Sequence, residues 1–191
     1  MQANRGLEKW IGVAIFGALA TLVMYIEIPI MGFLKLDVSD VVVLLAMSLY
    51  GLGAGIGVAA VKVGVHFVLT GAGVGSLIGD SAAFIAAIAF TVPLYFMLSR
   101  RNGNWPQRIL AITVATLSLT VVMAVLNWLV LIPLYAAVMH FGIGMALSKY
   151  ILTMVVPFNL LKGVVLAAVF LPLYFKLVPW VMRHRTVAHS R

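Results

Sequence analysis

The chain contains no cysteine, only five acidic residues, and just 9% charged residues in 191. Without cysteine there is no disulfide framework, thiolate metal site or cysteine nucleophile, and the redox compartment leaves no mark. The few acids, Glu8, Glu27, Asp37, Asp40 and Asp80, all fall away from the midpoints of the apolar stretches. That placement argues against an intramembrane acid/base enzyme or a carboxylate-driven carrier. His66, His140, His184 and His189 show no metal-ligand spacing, and H-E-x-x-H, G-x-S-x-G and Walker motifs are missing from the sequence. The chain therefore supplies neither hydrolytic chemistry nor ATP turnover of its own.

What remains is apolar. At 64% hydrophobic residues and a mean hydropathy of +1.15, the sequence lies far from soluble domains, in which about a quarter of residues are charged. Spanning a bilayer takes about 20 apolar residues per helix. Charges and turn residues divide the chain into six such stretches, at 10–29, 40–51, 53–70, 77–98, 108–135 and 150–177. The second is short and is expected to begin inside the preceding loop. The fifth and sixth are long enough to tilt or to hold interfacial turns. The expected architecture is an all-α integral membrane protein, a single six-helix domain over residues 1–191.

The net charge of +8 reports topology rather than nucleic acid. With the N-terminus inside, Arg5, Lys9, Arg100, Arg101, Arg108, Lys176, Arg183, Arg185 and Arg191, nine of the 13 basic residues, lie on the inner side. Only Lys35 and Lys149 lie outside. The positive-inside rule then places both termini in the cytoplasm. Attraction to anionic lipid is a weak by-product.

Lys62 and Lys162 are left within spans, where each would cost about 2.5–3.5 kcal/mol if it faced lipid. Asn127 and Asn159 carry a similar constraint, because a buried amide needs hydrogen-bond partners. Counted from the outer helix ends, Lys62, Asn127 and Asn159 lie at one level, roughly 12–14 Å deep at 1.5 Å per residue. Lys162 falls one turn below Asn159 on the same face. Two readings stand: these groups line a pocket open to the outside, or the amides clamp helices while each lysine pairs with a buried carbonyl or snorkels.

Several smaller features complete the pattern. The run Gly51 to Gly57 fits neither a P-loop nor G-x-G-x-x-G and reads as a tight inner turn followed by small-residue packing. Thr70 to Gly75 reads as an outer loop ending at Asp80. Leu34 to Asp40 places Asp37 or Ser39 at the N-cap of the second helix, with Asp40 in its first turn. Pro133 follows Asn127 and Pro157 precedes Asn159, so both free backbone groups near the proposed pocket.

Leu36-Asp-Val-Ser-Asp40, Lys62, Leu126-Asn-Trp-Leu-Val-Leu-Ile-Pro-Leu-Tyr135 and Pro157-Phe-Asn-Leu-Leu-Lys-Gly163 together resemble the membrane-embedded substrate-binding (S) components of energy-coupling-factor vitamin transporters, in particular the riboflavin-type branch. The resemblance covers most of the chain. It implies a bacterial-type plasma-membrane protein that captures a vitamin from outside, holds no cofactor, and docks on a transmembrane coupling subunit with two cytoplasmic ATPases. It further implies that Asn127, Asn159 and Lys162 contact the vitamin, that the loop around Leu36 and Asp37 closes the site, and that Ala14 and Ala18 on helix 1 belong to the docking face. With Lys62, His66 and Trp128 these make up the candidate ligand-binding set, and Tyr135 is a further aromatic candidate. Many members carry Lys-Asn in helix 3 and Asn-Phe early in helix 4, where this sequence has Lys62-Val63 and Ala83-Phe84. Pantothenate, hydroxymethylpyrimidine and pyridoxine-like vitamins stand as alternatives to riboflavin, and a self-sufficient secondary carrier is the alternative of another class.

Overall fold

The computed structural model describes residues 2–31, 34–99, 104–140 and 142–188. Of the inner basic residues, Arg100, Arg101 and Arg191 lie outside the described residues, as do the side chains of Arg5, Arg183 and Arg185. Six helical spans account for nearly all the rest. They are α1 (Gln2–Met24), α2 (Ser39–Tyr50), α3 (Leu52–Leu69), α4 (Val74–Ser99), a fifth built from α5 (Trp105–Leu126) and α6 (Ile132–Met139), and a sixth built from α7 (Leu147–Tyr150) and α8 (Val156–Ala188). Five of the six are long and apolar enough to cross a bilayer. The exception is α2, whose 12 residues rise only about 18 Å against a hydrocarbon core of about 30 Å.

Helix α2 sits at the centre. It packs against α1, α3, α4 and α8, and ten of its 12 residues are buried, as expected of a helix that is apolar all round. The outer faces of its neighbours carry the opposite signature. Trp10, Ile15, Leu19 and Leu22 of α1 and Leu117, Val121 and Val125 of α5 are exposed, an arrangement that makes sense only with lipid as the solvent.

The first span departs from expectation at its outer end. Helix α1 stops at Met24, and β1 (Ile28–Met31) turns back to pair antiparallel with β2 (Leu34–Leu36). Pro29 explains the break, because it has no N–H for an α-helical bond. In the hairpin it pairs with Lys35 at a point where the register shifts, a position that tolerates proline. The fourth span also starts earlier than expected, at Val74, so the outer loop ends before that residue and Asp80 lies well inside α4.

Close helix contacts are made over glycine. Gly51, with φ of +88°, makes the inner turn between α2 and α3. A Cβ on Gly55 would lie 2.6 Å from the Met47 side chain, on Gly17 2.5 Å from Val61, on Gly12 2.6 Å from the Tyr50 ring, and on Gly163 2.6 Å from Thr116. Small residues let the backbones approach, which is how membrane helices gain packing energy without a hydrophobic driving force between them.

Gly163 joins α8 to α5, within the two spans that carry the buried asparagines. The variant Gly163→Ala is expected to lose about 1–3 kcal/mol by overpacking against the branched Thr116, read as a lower thermal midpoint in detergent. An unchanged midpoint would show that this seam is loose.

Candidate functional site

Two buried lysines and two buried aspartates form one cluster below the outer surface. Lys62 Nζ donates to Asp40 Oδ1 at 2.7 Å and to Ser39 Oγ at 3.0 Å. Lys162 Nζ donates to Asp37 Oδ2 at 3.1 Å and lies 3.4 Å from Asp40 Oδ2. Asp37 Oδ1 accepts from the Ser39 backbone N–H at 3.0 Å and from the Ser39 hydroxyl. The lysines thus pair with carboxylates brought down by the first outer loop, rather than with backbone carbonyls. The helix cap also differs from expectation: Val38 occupies the N-cap of α2 without a side-chain bond, since Asp37 is committed to Ser39 and Lys162. Asp40 sits in the first turn of α2, where the helix dipole favours an anion.

All four charged groups are nearly inaccessible, with Lys62 at 0% and Asp40 at 1% exposure. Burial by itself would raise the Asp37 carboxyl. The Lys162 and Lys62 ammoniums and the Ser39 hydroxyl outweigh it and hold Asp37 well below the usual carboxylate range.

The asparagines sit beside two interruptions in the helical ladder. A π-helical turn spans Asn127–Leu131 just before Pro133, and a second spans Ile151–Val155 just before Pro157. A proline ring collides with the carbonyl four residues back, and a π turn accommodates the displaced backbone. Asn127 Nδ2 donates to Met123 O at 2.7 Å and Asn159 Nδ2 to Val155 O at 2.8 Å. Each amide nitrogen keeps a second hydrogen. Asn127 is fully buried and its Oδ1 has no partner.

These elements enclose a cavity of about 560 Å³ at the outer end of the bundle, within the range of about 300–1,000 Å³ typical of small-molecule sites. One wall is a single stripe of the fifth span, Met123, Asn127, Leu131, Tyr135 and Met139, every fourth residue. In a straight α-helix such a stripe drifts about 40° per step, and the wider π turn at Asn127–Leu131 takes up part of that drift. Phe158, Asn159 and Lys162 of α8 form another wall, and Leu34, Lys35 and Asp37 of the first loop close a third side.

Of the residues singled out from the sequence, Asn127, Asn159, Lys162, Asp37 and His66 line this cavity. Lys62 does not: it is sealed behind the wall and its ammonium is spent on Asp40 and Ser39. Leu36 packs outside the cavity against the cluster of Leu34, Ile132, Tyr150 and Phe158. Trp128 is 45% exposed on the outer face of the π turn, where an aromatic ring suits the membrane interface. Tyr135 lines the cavity as well. Ala14 and Ala18 are exposed on α1.

Three further polar groups belong to the site. Ser39 and Asp40 complete the charge cluster, and Asp80 faces His66, Oδ1 to Nδ1 at 2.7 Å, on the cavity wall between α4 and α3. The signal for Asp40 is arithmetic, since two intramembrane lysines require two anions and Asp37 supplies only one. No local pattern links His66 to Asp80 across the intervening loop. Among the described residues no three His, Cys, Asp or Glu side chains gather to hold a metal ion.

A partly enclosed chamber, reached from one membrane side, walled by apolar side chains and set with a few amide and ionic groups, defines a membrane-embedded solute-binding protein. Comparison with known proteins gives the family. Residues 9–174 match the model for the ECF transporter substrate-specific component. The riboflavin transporter FmnP of Bacillus subtilis is 30% identical over 185 residues, covering 94% of this chain and 97% of that protein. The riboflavin transporter RibU of Streptococcus thermophilus is 35% identical over 167 residues, covering 85% and 79%. A solved S component of a bacterial ECF transporter superposes with a TM-score of 0.76 at 30% identity, covering 92% of this chain and 98% of that one. The chain belongs to the ECF transporter S components: it is a multi-pass membrane subunit of a bacterial transporter, not an enzyme.

Removing Asp37 takes from the buried Lys162 its hydrogen-bonded partner and leaves only the longer approach to Asp40. Asp37→Ala is expected to cost about 3–5 kcal/mol in a detergent unfolding series, and the double variant Asp37→Ala/Lys162→Met to recover much of that loss. Because folding depresses the Asp37 pKa, its contribution is full above the ordinary carboxylate range and falls away only as pH drops through and below it. Stability is therefore expected to be level from about pH 8 to 5 as far as Asp37 is concerned. A double variant no more stable than Asp37→Ala would refute the pairing.

Proposed function

We propose that this S component binds riboflavin from the outer side and delivers it through a coupling subunit energised by two cytoplasmic ATPases. The observation that carries this reading is the convergence of Asn127, Asn159 and Lys162 on one outward chamber. The flavin ring has a polar edge that alternates carbonyl, N–H and carbonyl, and is otherwise flat and apolar. The unpaired Oδ1 of Asn127 suits the ring N–H. Lys162 has three hydrogens and two carboxylate neighbours, so one N–H remains for a ring carbonyl, and the spare amide hydrogen of Asn159 serves the other. Met123, Leu131 and Phe158 supply apolar contact for the ring faces.

The names of the relatives, riboflavin transporters in several bacteria, support flavin over pantothenate, pyrimidine or pyridine vitamins. Asp37 couples the site to its cover, because it lines the cavity and also grips Lys162. The exposed Ala14 and Ala18 stripe of α1 fits close approach of a helix from the coupling subunit.

The test is the visible spectrum of the protein purified from flavin-replete cells, followed by titration of the stripped protein. Copurified flavin bands are expected. Asn127→Ala and Asn159→Ala are each expected to weaken binding by about 10- to 100-fold, the equivalent of about 1–3 kcal/mol per lost bond to a buried polar group. A colourless preparation that also fails to quench added riboflavin would overturn the flavin assignment. Steady gradient-driven flux by the chain alone in vesicles would favour a carrier instead.

A further inference from the structure

The seam between α5 and α8 ends, on its inner side, in an arginine held by two aromatic rings. Arg108 lies in the first turn of α5, and its Cζ stands 4.4 Å from the centroid of the Phe175 ring of α8 and 5.6 Å from that of Trp105. Both are cation–π distances. Such contacts use the face of the guanidinium plane, so its edge keeps a rigid fork of N–H donors that matches a phosphate or carboxylate. Among the described residues no ion pair occupies that fork. The sequence gives the reason. Glu27, Asp37, Asp40 and Asp80 belong to the outer half of the protein, and Glu8, the fifth acid, stands on α1, which packs on α2 and α3.

The neighbours of Arg108 fix its level in the bilayer. Trp105 and Trp180 are exposed toward the inner ends of α5 and α8, where indole rings settle among lipid headgroups. Lys176, next to Phe175, adds an exposed cation to the same end of α8. Toward the bilayer centre the seam closes on Gly163 and Thr116. The residues that follow these two in sequence, Val164 and Leu117, are exposed, as is Ile109 beside the arginine. A fixed cation at headgroup level thus stands at the end of an apolar strip that runs into the membrane.

We infer that the inner end of the α5–α8 seam binds an anionic phospholipid of the cytoplasmic leaflet, its phosphate on the Arg108 fork and an acyl chain along Ile109, Leu117 and Val164. A lipid is the occupant that uses both parts, whereas a soluble anion gains nothing from the apolar strip. A zwitterionic headgroup would bring its own cation against Arg108 and Lys176; an anionic one brings net attraction. The Ala14–Ala18 stripe lies on α1, so a lipid at this seam leaves that face open. Bound there, the lipid ties together the inner ends of the two spans whose outer halves carry Asn127 and Asn159. The inference does not depend on which vitamin the chamber holds.

The experiment is native mass spectrometry of the purified full chain released from nanodiscs of equal phosphatidylglycerol and phosphatidylcholine. Phosphatidylglycerol is expected to be retained about fivefold or more over phosphatidylcholine, the preference that one basic contact near the surface supplies. Arg108→Gln is expected to bring the ratio to within about twofold of unity. Arg108→Lys keeps the charge and loses the planar fork, so it is expected to fall between the two; it carries the comparison should the glutamine variant not fold, which circular dichroism checks. Lys176→Gln removes an equal charge without touching the fork and is expected to lower the ratio less. Equal retention of both lipids, an unchanged ratio in Arg108→Gln, or equal losses in Arg108→Gln and Lys176→Gln would overturn the site. Inorganic phosphate that strips the bound lipid would make it a free-phosphate site. An unchanged lipid ratio in Arg108→Gln with loss of the copurifying coupling subunit would give the fork to an acidic group of that partner; either result overturns the lipid assignment.

Discussion

Everything at the outer end of this protein depends on a buried exchange of charge between a loop and the helices beneath it. Asp37 at the end of the first loop and Asp40 in the first turn of α2 meet Lys162 and Lys62. None of the four would be tolerated there alone, because an isolated ion in a medium of low dielectric costs several kcal/mol even after relaxation. Together they dictate where α2 begins, why it is too short to span, and how close the first loop lies to the cavity. Loop position is therefore a property of the membrane interior, not of the surface to which the loop would otherwise belong.

The same economy recurs in the asparagine wall. Each amide uses one hydrogen on the carbonyl four residues back in its own span, and that bond fixes its rotamer. A side chain whose geometry is held by its own helix loses little freedom when a ligand arrives, which is the usual route to tight binding from few contacts. The irregular backbone is thus part of the site's construction, placed where a cavity wall permits it.

Much of this could be read from the residues. The spans follow from hydropathy, their direction from the skewed lysines and arginines, and the shared depth of Lys62, Asn127 and Asn159 from counting along helices. What could not be read were facts about depth and neighbours. Nothing local says that Asp37 and Asp40 sink to the level of the lysines, and Lys62 is kept from the cavity by burial behind them. Pro29 broke the first helix into a hairpin whose strands are only four and three residues long, too short for a period-two signal. The glycines before Asp80 read as a loop, and its partnership with His66 exists only once α3 and α4 pack.

The cluster of two ammoniums and two carboxylates has zero net charge within a few ångströms. A single unpaired charge moved through the full membrane potential would exchange about 2.3 kcal/mol per 100 mV. Self-neutralisation removes that handle, so the voltage across the cell membrane exerts almost no net pull on this part of the protein. The subunit can shift or tilt in the bilayer without electrical work at this level.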